Sequence, residues 1–169
     1  MITRRGILGA GIAGPVLAVA PLGAGEANAQ VSAIGAIRVD VSRLQAQGWG
    51  SNALSIKIGL EQALAAALAG HIRQGAGPTL NVTVRGVFLN SYAGSDGGRW
   101  GGGGGGSSDS FDSEATLIAR GNRVIATWPV LSTVPASSAG PWYLPDIDQR
   151  RMDGLIRHNA GWIKRYVLG

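Results

Sequence analysis

The segment LNVTVRGVFL, residues 80–89, decides the fold. Leu80, Val82 and Val84 alternate with polar side chains, which is the pattern of a strand with one buried and one solvated face. Pro78 stands just before this segment, where a proline costs no ladder hydrogen bond. The pattern predicts the strongest strand of a sheet, and its apolar face requires a second layer of structure to cover it.

Two further strands are predicted after this segment. The alternation resumes at Phe111 and continues to the pair Gly121-Asn122, which is typical of a tight turn. Val124–Trp128 then supplies the returning strand. Pro129 is expected to stop that strand or to push it to an edge, because proline has no N–H for the ladder. Residues 130–145 are predicted to be a loop.

One more strand and two helices complete the pattern. Residues 37–42 alternate as a first strand. From Ala53 to about Arg73 apolar residues recur at helical spacing, and Asp146 is a candidate N-cap for a final helix that continues to about Leu168.

The order β-α-β-β-β-α predicts an α+β fold. Four strands with one apolar face each and two helices with one apolar stripe each are best satisfied by a two-layer sandwich, with both helices on one face of a four-stranded sheet. We expect residues 30–169 to form this single domain. The glycine-rich segment 91–110 is expected to be a flexible loop within it.

Residues 1–29 have the features of a signal peptide: a cationic head, an apolar stretch and a small-residue cleavage site. The head, with Arg4 and Arg5 before a hydrophobic pair, resembles the twin-arginine export signal. Ala27 and Ala29 satisfy the small-x-small requirement for cleavage. The expected location of the mature protein is the periplasm or the outside of the cell.

Two alternatives to this export route remain open. Gly9 and Ala10 stand where twin-arginine signals usually carry a basic residue, so ordinary Sec export is the other route. The apolar stretch 7–22 is alternatively an uncleaved membrane anchor, although it is short and broken by glycine and proline. No stretch of the mature chain is apolar enough over about 18 residues to cross a membrane.

Composition excludes several classes of protein. The chain contains no cysteine, which excludes a disulfide scaffold, a thiolate metal site, a cysteine nucleophile and lipid attachment to a cysteine. The net charge is +5, and the basic residues are dispersed and interleaved with aspartates. A nucleic-acid interface has a denser basic stripe, so nucleic acid is not an expected partner.

The glycine run 101–106 lacks the context of a phosphate loop, because a strand rather than a helix is predicted after it. Asp96, Asp109, Asp112 and Glu114 flank the run and carry oxygen ligands suited to a hard cation. Their spacing matches no calcium loop, and Arg120 or Arg123 is expected to neutralise the last two acids instead. No metal and no cofactor are predicted.

Enzymatic activity is not predicted either. His71 and His158 are the two histidines, and they form no metal-spaced pair. A serine hydrolase would need one of them beside a nucleophile, and the chain has no Gly-x-Ser-x-Gly elbow. A hydrolase is kept only as an alternative function.

The string Pro141-Trp-Tyr-Leu-Pro145 is the most distinctive in the chain. Large amphipathic rings on a rigid segment are typical of a partner surface, so Trp142 and Tyr143, together with Trp100, are the candidate contact residues. Alternatively the string is a lid that holds the last helix against the sheet edge, with Trp162 and Tyr166 receiving its rings.

The strand at 80–89 introduced by Gly77-Pro78, and the hairpin turning at Gly121-Asn122-Arg123, also resemble small exported α+β domains of proteobacterial periplasms. That family includes auxiliary subunits of envelope transport systems, and the resemblance covers residues 36–130. It implies an exported protein of the cell envelope and no particular activity.

We therefore expect a non-enzymatic periplasmic protein that acts by binding or assembly, with an envelope protein or a second copy as its partner. Binding of a small ligand or a divalent metal is the alternative.

Overall fold

The computed structural model of the protein describes residues 33–91 and 108–169. Seven main elements follow one another in these ranges: β1 Ala36–Asp40, α1 Ser42–Ala46, α2 Ser51–Ala67, β2 Thr79–Phe88, β3 Ser108–Ala119, β4 Arg123–Pro135 and α3 Ile147–Leu168. The predicted export signal with Arg4, Arg5, Ala27 and Ala29 lies outside the described residues, and so does Trp100.

The four strands form one sheet in the order β1-β2-β3-β4. β1 runs parallel to β2, and the other two pairs are antiparallel. Parallel neighbours need a crossover connection, which α1 and α2 supply here. Val82 of β2 stands between Val39 of β1 and Ala115 of β3, so the apolar positions line up across the strands. The predicted α+β class is confirmed.

The helices cover one face of this sheet. On that face the side chains of β2 and β3 are fully buried at alternate positions, as the period-two pattern predicts. Gly59 marks a close approach of α2 to α3, because a Cβ there would lie 3.2 Å from Ile156 Cδ1. Strand and helix residues form a single core that includes Leu80, Val82, Val84, Phe111, Leu117, Leu60, Leu64, Leu155 and Ile163.

Strands β4 and β3 are both longer than the sequence predicts. Pro129 does not stop β4, which continues to Pro135, so the loop prediction for 130–145 is wrong over its first six residues. The physical reason is that β4 is an edge strand, where a missing N–H can face away from the ladder. β3 likewise begins at Ser108, inside the predicted loop 91–110.

The helix boundaries also differ from the prediction. Ser42 does not extend β1 but begins the short helix α1, and its backbone N–H donates to Asp40 Oδ1 at 2.9 Å. α2 begins at Ser51 and ends at Ala67, well before Arg73. Over the two described ranges, no helix has both the length and the apolarity to cross a membrane.

The tight turn between β3 and β4 forms as predicted. Gly121 has φ 73° and Asn122 has φ 62°, so both residues occupy the left-handed region. Glycine enters this region freely and asparagine tolerates it better than most side chains, which is why this pair favours such turns.

A polar network lies inside the core between α3 and the last two strands. Asn159 of α3 is fully buried. Its Oδ1 accepts a hydrogen bond from Ser113 Oγ of β3 at 3.0 Å, and its Nδ2 donates to Ser132 Oγ of β4 at 2.9 Å. One amide therefore joins three elements.

Replacing Asn159 tests how much this network contributes to the stability of the fold. We expect Asn159→Ala to lower the free energy of unfolding by about 1–3 kcal/mol, because two buried hydrogen bonds are lost together with packing. Asn52→Ala, at an exposed position on α2, is the control and is expected to change it by less than about 0.5 kcal/mol. Urea unfolding of both variants measures the difference, and equal effects would contradict the assignment.

Candidate binding surface

A buried ion pair fixes the beginning of α3 against β3. Arg151 of α3 and Asp109 of β3 have side-chain exposures of only 3% and 2%. Arg151 Nε donates to Asp109 Oδ2 at 2.8 Å, and its NH2 group donates to Oδ1, so the pair is bidentate. Bidentate pairs combine charge with fixed geometry and are among the strongest polar contacts in proteins.

The same pair also holds Asn90, which lies two residues after the end of β2. Arg151 Nη2 donates to the carbonyl oxygen of Asn90 at 2.6 Å, and the Asn90 N–H donates to Asp109 Oδ1 at 2.9 Å. We call Arg151, Asp109 and Asn90 the arginine clamp. It ties α3 to the end of β2 and the beginning of β3 at one point.

The sequence interpretation of Asp109 is therefore wrong. It placed Asp109 in the flexible loop 91–110, whereas the structure buries it in β3 beside Arg151. The signal was present, because Asp109 continues the alternation of Phe111 and Ser113. On α3, Arg151 stands four residues before Leu155 on the apolar stripe.

A groove of about 650 Å³ lies between α2 and α3, next to the arginine clamp. Its lining combines apolar side chains from both helices with polar and acidic groups, and no basic side chain contributes. The lining residues are Trp49, Asn52, Ser55, Ile56, Ile58, Gly59, Gln62, Leu89, Asp148, Gln149, Met152, Asp153 and Ile156. The volume lies within the range of about 300–1,000 Å³ that is usual for ligand sites.

Two exposed aromatic rings stand just before α3. Trp142 and Tyr143 are 68% and 69% exposed and contact each other edge to face, with ring centroids 5.9 Å apart. A tight turn presents them, since the Leu144 N–H donates to the Pro141 carbonyl oxygen at 3.2 Å. These two rings have the exposure that a partner surface needs.

Among the described residues, the ring contacts differ from those that the lid interpretation expected. Trp162 does not receive the rings of the string; its own ring contacts are with His158 and Tyr166. At a rise of 1.5 Å per residue, Trp162 lies about 22 Å along α3 from its first residue.

The remaining acids of the predicted cluster are neutralised by arginine. Arg85 of β2 pairs with Asp112 at 2.6 Å and with Glu114 at 3.5 Å. The hydrogen bond to Asp112 raises the pKa of Arg85. Arg85 thus has the role expected of Arg120 or Arg123. Asp96 lies outside the described residues, and within them no three histidine, aspartate or glutamate side chains form a metal-sized group.

The two histidines are in ordinary structural positions. His71 ends a short 3-10 turn after α2. His158 Nε2 accepts a hydrogen bond from Trp162 Nε1 at 3.1 Å. In the described part of the chain, neither histidine side chain is hydrogen-bonded to a serine hydroxyl.

Comparisons with known proteins assign no family to the chain. No protein-family model matches it, and no curated protein matches it. Among solved structures it is similar to a protein described as a "putative lipoprotein" from Caulobacter crescentus CB15, with 13% identity and a TM-score of 0.46. That match covers 83% of this chain and 88% of the other. A likeness of this degree carries no argument about function.

Adjacent arginines provide a test of the arginine clamp. Arg151→Met leaves the Asp109 carboxylate buried without a cation, so we expect the free energy of unfolding to fall by about 3–5 kcal/mol. Arg150→Met is the matched control. It removes an exposed ion pair with Asp146, and the hydrogen bond from Arg150 lowers the pKa of Asp146 without anchoring another element.

Chemical denaturation of both variants measures the difference. If Arg151→Met proves too unstable to purify, Asp109→Asn with Arg151→Gln removes both charges together and is expected to recover part of the loss. A clamp variant no less stable than Arg150→Met would contradict the assignment.

Proposed function

We propose that this protein is an exported, non-enzymatic protein of the bacterial cell envelope that acts by binding a partner protein. Two elements are proposed to contact the partner: the rings of Trp142 and Tyr143, and the groove between α2 and α3, whose lining includes residues from the first turns of α3. We call these two elements together the aromatic-groove surface. The observation that carries the proposal is the pair of exposed rings presented on a tight turn just before α3.

The rings have the chemistry of an interface anchor. Tryptophan and tyrosine are enriched among the residues that dominate binding energy at protein interfaces. They lie between Pro141 and Pro145, which restrict the backbone, so less conformational entropy is lost when a partner orders the segment.

The groove defines the chemistry of the partner. Ile58 is 54% exposed and lines the groove with Met152 and Trp49, so the groove offers apolar contacts. Asp148 and Asp153 add negative charge, and no basic side chain of the lining opposes it. These features favour a partner segment that inserts an apolar side chain and carries a cationic group beside it.

Export rests on the sequence of residues 1–29, with Arg4 and Arg5 in the head and Ala27 and Ala29 before the cleavage point. The proposed location is therefore the periplasm or the outside of the cell, reached by the twin-arginine or the Sec route. The proposed partner is an envelope protein, and a second copy of this chain is the alternative.

The aromatic-groove surface predicts a crosslinked complex. In the host envelope we expect the wild-type protein to crosslink to a partner of discrete mass, and Trp142→Ala with Tyr143→Ala to reduce the yield by about tenfold or more, because anchor residues dominate binding energy. Tyr166→Ala is the matched control, since it removes another exposed ring far along α3.

Mass measurement of the complex distinguishes an envelope protein from a second copy. A wild-type protein that gives no crosslinked species would refute the proposal. Equal losses of crosslinked product in the Trp142/Tyr143 variant and the Tyr166 variant would show that the partner does not bind at this surface.

The export route is tested by replacing the paired arginines. Arg4→Lys with Arg5→Lys is expected to leave the full-length precursor in the cytoplasm, because the twin-arginine pathway reads that pair. Fractionation followed by intact-mass measurement shows whether residues 30–169 are released. Normal processing of the variant would assign the Sec route, and an unprocessed wild-type chain would contradict export with cleavage.

A further inference from the structure

A second concavity lies on the face of the sheet that the helices do not cover. Its volume is about 190 Å³. We call it the basic pocket, and we propose that it binds a phosphate group. Its lining residues are Arg38, Gly77, Thr79, Asn81, Ile118, Ala119, Arg120 and Asn122. This proposal is independent of the aromatic-groove surface, because the two surfaces share no residue.

Three strands and one turn build the basic pocket. In the register of the sheet, Arg38 of β1 is next to Asn81 of β2. Thr79 of β2 is next to Ile118 of β3. The turn after β3 then adds Arg120 and Asn122 to the same site. Side chains distant in sequence therefore converge on one small volume.

A side-chain hydrogen bond and two constrained backbone positions hold the walls of the basic pocket in place. Arg120 Nη2 donates to the carbonyl oxygen of Gly75 at 3.3 Å, which joins the turn to the segment before β2. Gly77 has φ 94°, and a Cβ there would lie 2.6 Å from the carbonyl oxygen of Ala33, so no other residue fits without movement. Asn122 occupies the left-handed region. A site with such walls is largely preformed.

The basic pocket carries two positive charges that no carboxylate of its lining balances. The described lining contains two guanidinium groups and no acidic side chain. Arg85, Arg150 and Arg151 by contrast each pair with an aspartate. Within the described residues the Arg38 side chain makes no hydrogen bond or ion pair, although its backbone belongs to the β1–β2 ladder. Asp40, two positions along the same strand, accepts a hydrogen bond from the Ser42 N–H.

Charge and donor count select the ligand. A phosphate monoester carries a charge of about −1.5 to −2 at pH 7, which matches two guanidinium groups, whereas a carboxylate neutralises only one. Guanidinium forks bind phosphate oxygens bidentately. The side chains of Thr79, Asn81 and Asn122 add hydroxyl and amide donors.

The size of the basic pocket limits the ligand further. Its volume of about 190 Å³ is below the range of about 300–1,000 Å³ usual for sites that enclose a drug-sized ligand. It therefore suits a phosphate group alone. That group is either the free anion or the end of an ester whose remainder projects into solvent.

Calorimetric titration of the purified protein tests the assignment. At pH 7.5 and constant ionic strength, inorganic phosphate and glycerol 3-phosphate are titrated separately, with acetate as the monoanionic comparison. We expect saturable binding at one site, and Arg38→Gln and Arg120→Gln are each expected to weaken it by about tenfold or more, since each removes a charge-assisted contact.

Arg43→Gln and Arg157→Gln are the matched controls, because both arginines are exposed and lie outside the pocket lining. They are expected to leave the affinity within about twofold, as the charge effect of a distant exposed cation is screened. Far-UV circular dichroism confirms that all four variants are folded. Binding of glycerol 3-phosphate as tight as that of phosphate shows that the pocket accepts an ester, and binding of inorganic phosphate alone identifies the free anion.

Three results would overturn the assignment. They are the absence of saturable binding to the wild-type protein, equal losses in pocket and control variants, and acetate affinity equal to that of phosphate. An independent readout is the pH dependence. The affinity for glycerol 3-phosphate is expected to fall below about pH 6, where the dianionic monoester takes up a proton and loses one of its two negative charges.

Discussion

The bidentate contact between Arg151 and Asp109 is the constraint on which the rest of the structure depends. Two charges that are almost fully buried lose their hydration, and only good geometry with further hydrogen bonds compensates for that loss. The backbone of Asn90 supplies those bonds. α3 therefore cannot slide or rotate on the sheet without leaving a buried charge unpaired. The same contact fixes the position of the groove wall that α3 forms.

A second polar contact, between Asn159 and Ser113, also joins α3 to β3 farther along the helix. Arg151 and Asn159 are two turns apart on α3, about 12 Å at 1.5 Å per residue. Their partners on β3, Asp109 and Ser113, are separated by about 13–14 Å at 3.4 Å per residue. The two spacings match, so α3 follows β3 with one register that satisfies both contacts. Leu155 occupies the interval between them on the buried face.

Local periodicity was sufficient to predict the strands, their buried faces and the turn at Gly121-Asn122, because each depends on neighbouring residues. The extent of β4 was not predictable from Pro129, since the effect of a proline depends on whether its strand lies at an edge. Arg151 and Asp109 are separated by 42 positions. In the sequence Arg151 is the same residue type as its exposed neighbour Arg150. Only its position on the apolar stripe of α3 distinguishes it.

The distribution of charge divides the surface into regions of different chemistry. On the uncovered face of the sheet, Arg85 neutralises Asp112 and Glu114, while Arg38 and Arg120 remain without a carboxylate in the basic pocket. On the helical side the groove has acids and no bases. Because the sheet and core separate the two regions, changes in one are expected to be additive with changes in the other. The fold can therefore present the proposed anion site and the proposed protein-binding surface without either one constraining the other.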